Sequence, residues 1–461
     1  ELCLVGSEMC IRDSSFKDKY LLTTTLRKDE TSRFSPENQG KLFTSASIGW
    51  VIDKESFFNS SVIDNLKLRA SYGELGNQEL PASNPDVNIS GLNENQSFYS
   101  FTGQRGSVTP GAILQSVGNP ELTWETSVSK NIGLDFGLLS GRIRGSIEYF
   151  DISTQDLIVR DNSLISSTAI DAGAPFVNFG EVNNKGVDFD IVYADETNSG
   201  FNYEVAFNIS SYKNKVVSLV GGETATDDGT PITGDSGFRG GAVTRSAVGQ
   251  PISSFYGRQV TGIQQTGTDA GRLQYADTDG IAGINDGDRT YIGSPHPDFT
   301  YGININMEYK NFDLMMFWNG SQGNDIYNYS KIFTDFPTFV NGNRSTRVLD
   351  AWTSANLSKT QPALSGGVKN SETQPNSFFV EDGSYLRLKT LQLGYTFSDV
   401  KIKDAGVDSI RLYLSGANLL TFTDYDGLDP EVASNNALTI GVDSGTYPLA
   451  RITTVGLNIN F

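Results

Sequence analysis

The strongest order in this chain is an alternation of apolar and polar positions in segments of about seven to eleven residues. Phe299, Tyr301, Ile303, Ile305, Met307 and Tyr309 alternate with Thr300, Gly302, Asn304, Asn306 and Glu308. Successive side chains of a strand point to opposite faces, so this segment is expected to be a strand with one apolar and one polar face. Phe312, Leu314, Met316 and Trp318 repeat the pattern at once, and Lys310-Asn311 between the two predicts a two-residue hairpin. The same period marks Leu66, Leu68, Ala70 and Tyr72, then Ile132, Leu134 and Phe136, then Ile143, Gly145, Ile147 and Tyr149. It returns in Val187, Phe189, Ile191 and Tyr193, in Phe201, Tyr203, Val205, Phe207 and Ile209, and in Ile410, Leu412 and Leu414. From Leu386 to Phe397 the phase slips between Leu388 and Leu391, which predicts a β-bulge.

Short links join many of these segments, and long polar connections, 73–121, 153–184, 221–297 and 320–378, separate others. Aromatic residues close the apolar faces, as at Tyr149, Phe150, Tyr301, Tyr309, Trp318, Tyr385 and Tyr395. The pattern predicts an all-β fold, a transmembrane antiparallel β-barrel with a short-turn rim, a long-loop rim and aromatic belts against outer-membrane lipid. A soluble β-sandwich or propeller array is the alternative with the same alternation. In the last strand Thr453, Val455, Leu457, Ile459 and Phe461 share a face. Gly456, Ile459 and the final Phe461 resemble the C-terminal signal read by the outer-membrane assembly machinery.

Composition narrows the choice. Hydrophobic residues are 38% of the 461, and no run of eighteen apolar residues is available for a spanning helix, which excludes a helical membrane protein. A spanning barrel needs an apolar residue only at every second strand position. The net charge of -19 leaves no basic stripe for phosphates, so nucleic acid is not an expected partner. Cys3 and Cys10 both fall in the first fourteen residues, and Leu4 to Ser14, LVGSEMCIRDS, resembles the conceptual translation of a transposon adapter used in preparing sequencing libraries. Residues 1–14 are therefore set apart from 15–461 in fold reasoning. Without them the chain has no cysteine, which removes disulfides, thiolate metal sites and cysteine nucleophiles together.

Candidate chemistry is sparse. In DTDGIAGINDGD, Asp277, Asp279 and Asp288 occupy loop positions one, three and twelve, and Gly283 could add a carbonyl, which is EF-hand-like spacing for calcium. Ile281 stands where a fifth-position carboxylate belongs and Ala282 where the sharp turn wants glycine, so an acidic turn is the favoured alternative. Asp424 to Glu431, DYDGLDPE, is read as a structured turn in preference to a catalytic pair, which needs a cleft that separates two pKa values. His296 is the one histidine and is read as structural. The expected ligand surface is aromatic: Tyr256, Tyr275, Tyr291, Tyr327, Tyr329 and Trp352, with Phe333, Phe336 and Phe339, in long connections beside Asn324, Asn328, Asn341 and Asn343. Flat rings and amides suit sugars, and peptides can use the same groups.

Several segments together resemble the SusC/RagA family of TonB-dependent receptors. They are Leu26 to Trp50, Leu66 to Asn77 (LKLRASYGELGN), Asn119 to Leu139 (NPELTWETSVSKNIGLDFGLL), Gly180 to Ile191 (GEVNNKGVDFDI), Glu381 to Phe397 and Leu412 to Val432. The resemblance runs from Phe16 to Phe461 and implies a barrel of about 22 strands around a plug domain. Of these, residues 15–461 would be the C-terminal strands, with plug and first strands absent. It further implies uptake of an oligomeric nutrient, a glycan or else a peptide, with a SusD-like surface lipoprotein as lid and TonB as energy source. No enzyme activity and no cofactor follow from it, and calcium rests on the acidic loop alone. A passive porin or structural barrel is the competing reading.

Overall fold

A computed structural model describes residues 5–79, 91–99, 103, 109–116, 118–160, 176–178, 180–219, 232–233, 238, 240–336, 342–364, 370–397, 407–432 and 437–460. Thirteen strands form one sheet: β1 (Val5–Phe16), β2 (Tyr20–Thr31), β3 (Gly40–Val51), β4 (Ile63–Asn77), β5 (Glu125–Leu138), β6 (Ile143–Gln155) and β7 (Glu181–Glu196). It continues with β8 (Phe201–Ser218), β9 (Phe299–Tyr309), β10 (Phe312–Gln322), β11 (Tyr385–Phe397), β12 (Ser409–Thr423) and β13 (Ile452–Asn460). Each strand pairs with its neighbours in sequence order, so the sheet is one meander, and its pairs are antiparallel. β1, which carries the adapter-like segment, is an edge strand paired residue for residue with β2.

The alternation sets the register. Phe207, Ile303 and Trp318 lie opposite one another across β8, β9 and β10, and Val205, Ile305 and Met316 form the next row. A slip of one residue would reverse every face, so these rows fix the pairing. The apolar face is bare: Ile132, Ile147, Leu412, Leu414 and Phe422 are all exposed, which in a folded wall calls for lipid against it. On the polar face charges pair across strands. Arg69 meets Asp135 at 2.9 Å and also Glu148, Arg144 meets Glu204 at 2.6 Å, and Arg411 meets Asp313 at 2.5 Å.

The predicted hairpin forms at Lys310-Asn311, with Tyr309 opposite Phe312 and Lys310 at φ 55°. The predicted bulge is there too: the register shifts between Leu388 and Thr390 against both neighbouring strands. It corrects the placing of Tyr385 in the aromatic belt. The extra residue, Lys389, reverses the faces before it, so Tyr385 shares the polar face with Arg387 and donates to Asn319 at 2.8 Å. Gly456 of β13 lies opposite Tyr413, where any Cβ would collide with the ring. Glycine under an aromatic is a device that pins register. Phe461 lies outside the described residues.

Connections alternate between the two rims. One rim holds 17–19, 52–62, 139–142, 197–200, 310–311 and 398–408, and the last strand ends there. Its rings cluster in pairs: Phe16 with Tyr20 (6.4 Å), Phe201 with Tyr309 (6.3 Å) and Phe312 with Tyr395 (4.7 Å). Beside them Glu55 accepts from Lys19 (2.9 Å), Tyr20 (2.7 Å) and Trp50 (3.1 Å), which holds its carboxyl down at about 2.

The other rim holds 32–39, 78–124, 156–180, 219–298, 323–384 and 424–451, and the last three fold together. Asp325–Asn328 pairs antiparallel with Val380–Asp382 and parallel with Val442–Asp443. Thr244 Oγ1 donates to Leu438 O at 2.6 Å and Ser253 Oγ to Ala437 O at 2.7 Å. One core serves all three connections, including Val243, Phe255, Tyr327, Phe336, Phe379 and Val442. A second cluster, with Phe34, Phe43 and Trp124, joins the connections nearer the N-terminus.

Candidate functional site

The acidic loop brings its three carboxylates together, with ligand-capable oxygens of Asp277, Asp279 and Asp288 within 4.8 Å of one another. The loop closes on itself through them. N–H groups of Thr278 (2.7 Å) and Asn285 (2.8 Å) donate to the two oxygens of fully buried Asp288. Those of Gly280 and Ile281 donate to Asp277 (3.0 Å) and Asp279 (2.8 Å). Asn285 Nδ2 takes up Asp279 (2.9 Å) and the Gly283 carbonyl (3.3 Å). The Asn285 and Thr278 N–H groups hold the Asp288 carboxyl below its ordinary value.

Beside this loop lies a cavity of about 810 Å³, walled by Gln264, Thr266 to Asp269 and Arg272 to Tyr275 of one hairpin, by Arg258, by Ile284 of the acidic loop and by Glu372 and Gln374. Three of its four charged side chains, Arg258, Arg272 and Glu372, meet described partners. Arg272 bridges buried Glu372 at 2.7 Å, and the Leu273 N–H donates to the same carboxylate at 3.2 Å. Arg258 donates to Asn285 O (3.3 Å), to Asp286 (3.1 Å) and to Gln374. Tyr275 lines the cavity, and burial, then the charge of Glu372, pushes its hydroxyl pKa up.

The other aromatics of the expected ligand surface are placed differently. Tyr327 and Tyr329 are buried in the loop core, and Trp352 packs against that core while its Nε1 donates to Gln265 at 3.1 Å. Tyr256 faces Tyr291 across a strand pair at 5.3 Å and lies between the guanidinium groups of Arg245 (4.6 Å) and Arg289 (5.0 Å). Of these five tyrosines and one tryptophan, Tyr275 alone lines the cavity. Phe339 and Asn341 lie outside the described residues.

Two further clusters tie the loops to the wall. Arg387, on the polar face of β11, donates to Asp429 (2.6 Å) and Thr421 (2.9 Å), and its second amine lies 3.3 Å from Glu431. Lys389 completes the cluster on Glu431. Burial acts to raise the Asp429 pKa, but Arg387 and the N–H groups of Glu431 and Leu449 outweigh it and hold the value low. The DYDGLDPE turn is thus a tether. Sequence reasoning missed Arg387, Arg258 and Glu372; a charged residue at a polar strand position next to a long connection is the one signal Arg387 offered.

His296 is the second tie. Its Nε2 meets Ile252 O at 2.9 Å and its Nδ1 the Tyr212 hydroxyl at 3.4 Å, and burial pushes its pKa down. Below about 6.5 the unfolded chain binds a proton that the buried ring resists, so this contribution is complete above pH 6.5 and is lost as pH falls through the lowered value. Melting temperature should therefore fall more steeply from pH 7 to 5 in the parent than in His296→Gln; equal slopes would show that the ring is not the titrating group.

An ordered meander with a lipid-facing apolar side, a charged side, and short and long connections segregated to opposite rims defines the wall of a bacterial outer-membrane β-barrel. Over residues 13–419 the chain matches the family model described as TonB dependent receptor-like, beta-barrel. It is 36% identical to TonB-dependent receptor P3 of Formosa agariphila over 97% of this chain and 44% of that protein. It is 29% identical to TonB-dependent receptor SusC of Bacteroides thetaiotaomicron over 97% of this chain and 43% of that one. In structure it is similar to the RagAB peptide transporter, with a TM-score of 0.81 at 22% identity, over 99% of this chain and 47% of that one. The chain belongs to the TonB dependent receptor-like β-barrel family, whose members are outer-membrane proteins, and spans less than half the length of these relatives.

Proposed function

We propose that this chain forms wall and outer loops of a receptor that imports an oligomeric nutrient, a glycan first and a peptide as the alternative cargo. The observation that supports it most is the family membership of a wall whose charged face is bordered by a folded assembly of long loops. In this reading the loops meet the nutrient, a SusD-like surface lipoprotein closes over them, and TonB supplies the force that opens the lumen. The work is binding and displacement, so no covalent chemistry and no cofactor are called upon. The RagAB description as a peptide transporter is what keeps peptide as the alternative.

Uptake of labelled oligosaccharides and peptides by cells carrying the full-length receptor and its lipoprotein, with and without TonB, tests this. The reading expects uptake that disappears without TonB. Equal uptake in both strains would mean a passive porin.

In this reading the acidic loop is an acidic turn, its carboxylates accepting backbone N–H groups. Millimolar calcium added to purified full-length receptor should leave the melting temperature and the hydrogen exchange of residues 277–288 unchanged. A rise in either would make this a calcium site, with Asp277, Asp279, Asp288 and the Gly283 carbonyl as the ligands to test.

A further inference from the structure

On the outward face of β5 to β8 a row of charge lies directly above the apolar rows. Ile132, Tyr149 and Val187 are opposite one another and exposed. Two residues closer to the long-loop rim, Lys130, Asp151, Lys185 and Lys213 are opposite one another in the same way, and Lys215 follows, opposite Asn183. All four lysines are exposed. Near the short-turn rim Tyr193 forms a ring pair with Tyr203 (5.7 Å). From Lys185 to Tyr193 the strand covers about 26 Å, comparable with the apolar band of an outer-membrane barrel. The lysines therefore stand where the headgroups of the outer leaflet begin.

Lys185 and Lys213 are directly opposed, and like charges at such positions repel, the more so beside lipid, where water screens them less. Asp151, between Lys130 and Lys185, is also engaged by Asn183, whose Nδ2 donates to it and to Ser153 Oγ (3.1 Å). Glu74, the outward carboxylate of β4, accepts the Tyr72 hydroxyl (2.6 Å) and the Thr44 N–H (3.2 Å), and Glu181 lies at the loop end of β7. On β9 to β12 an outward row near the same rim is Tyr301, Gly320, Leu386 and Phe422, without charge. The lysine row thus belongs to one sector of the wall, in a chain whose net charge is -19.

We infer that this sector binds a phosphorylated lipid of the outer leaflet, its phosphate received by Lys130, Lys185 and Lys213 and its acyl chains lying on Ile132, Tyr149 and Val187. Phosphate oxygens accept from the ammonium groups and relieve the repulsion between Lys185 and Lys213. Neighbouring strands are about 4.8 Å apart, so three long side chains on β5, β7 and β8 can converge on one headgroup. The apolar rows beneath favour a lipid over a soluble phosphate. The site rests on the outer-membrane placement of the wall and is independent of the cargo.

Full-length receptor in detergent is incubated with lipid A bearing its phosphates, with the same lipid dephosphorylated, and with inorganic phosphate as competitor, and bound lipid is read by native mass spectrometry. The phosphorylated lipid should be retained in preference to the dephosphorylated one. Lys185→Gln with Lys213→Gln should weaken its binding about tenfold, the scale of losing charge-assisted hydrogen bonds. Lys185→Arg with Lys213→Arg should retain most of it. Lys28→Gln, at an outward lysine that already pairs with Glu30, should leave it unchanged. The substituted positions are exposed, and unchanged melting temperatures would confirm that the variants fold. Equal retention of the two lipids, parent binding in the double glutamine variant, or an equal loss in Lys28→Gln would overturn the assignment. So would displacement of the lipid by inorganic phosphate, which would make the row a site for soluble anions. Such a failure in a receptor still recovered from the membrane would leave the barrel reading intact.

Discussion

Asp429→Ala should free the 424–451 connection from the barrel wall at a cost of about 3–5 kcal/mol, the range for stripping one partner from a buried ion pair. The Arg387 side chain is 4% exposed, so its guanidinium cannot turn to water when the carboxylate is gone. The same carboxylate accepts the N–H groups of Glu431 and Leu449, both at 2.9 Å, which fixes the two ends of the connection against each other. Replacing both partners, as in Arg387→Met with Asp429→Leu, should recover only part of the loss, since it removes the unpaired guanidinium but still leaves the N–H groups of Glu431 and Leu449 without their acceptor. Hydrogen exchange of residues 424–432 and 438–450 reads the outcome. Parent protection in Asp429→Ala would show that the cluster does not hold the loop.

Phe379→Ala should loosen all three long connections together, by about 3–5 kcal/mol for truncation of a buried phenylalanine. Phe379 sits where they meet: its ring lies 5.7 Å from Tyr327, 5.8 Å from Phe336 and 5.5 Å from Phe378, and Val442 belongs to the same core. Exchange should rise in residues 243–263, 325–336 and 437–443 at once, while β5 to β8 keep their protection, because the wall draws on ladder hydrogen bonds that the core does not touch. Phe379→Leu, which keeps much of the volume, should cost less than half as much. Loosening confined to 377–382 would mean that the loops fold separately.

These two variants act on the parts of the molecule that the sequence hid. The wall was legible because its signal is local: a period of two residues states which face meets lipid, and a break in that period, between Leu388 and Leu391, marked the bulge. The bulge also explains the misplaced Tyr385, since a belt position was inferred from alternation that Lys389 interrupts. The loops gave no such signal. Their strands are short, such as Leu273–Tyr275 and Val442–Asp443, too brief for a period to show, and their defining bonds join residues far apart in sequence, as Thr244 with Leu438.

The candidate site divides along the same line. The spacing of Asp277, Asp279 and Asp288 indicated three carboxylates near one another, as they are, but spacing could not show the backbone N–H groups that also meet them. Tyr327 and Tyr329 stood out as aromatics in polar surroundings, the composition of a binding surface and of a small buried core alike. Only their burial separates the two.

The central claim is a wall that crosses the outer membrane with its loop assembly outside and its short turns in the periplasm. Single cysteines in a full-length receptor otherwise free of cysteine test it most directly, by labelling with a membrane-impermeant maleimide. Leu349→Cys, at a loop position 85% exposed, should label on intact cells. Ser199→Cys, in the turn between β7 and β8, should label only after the outer membrane is permeabilised. Labelling of Ser199→Cys but not Leu349→Cys on intact cells, or recovery of both in the soluble fraction, would contradict the account.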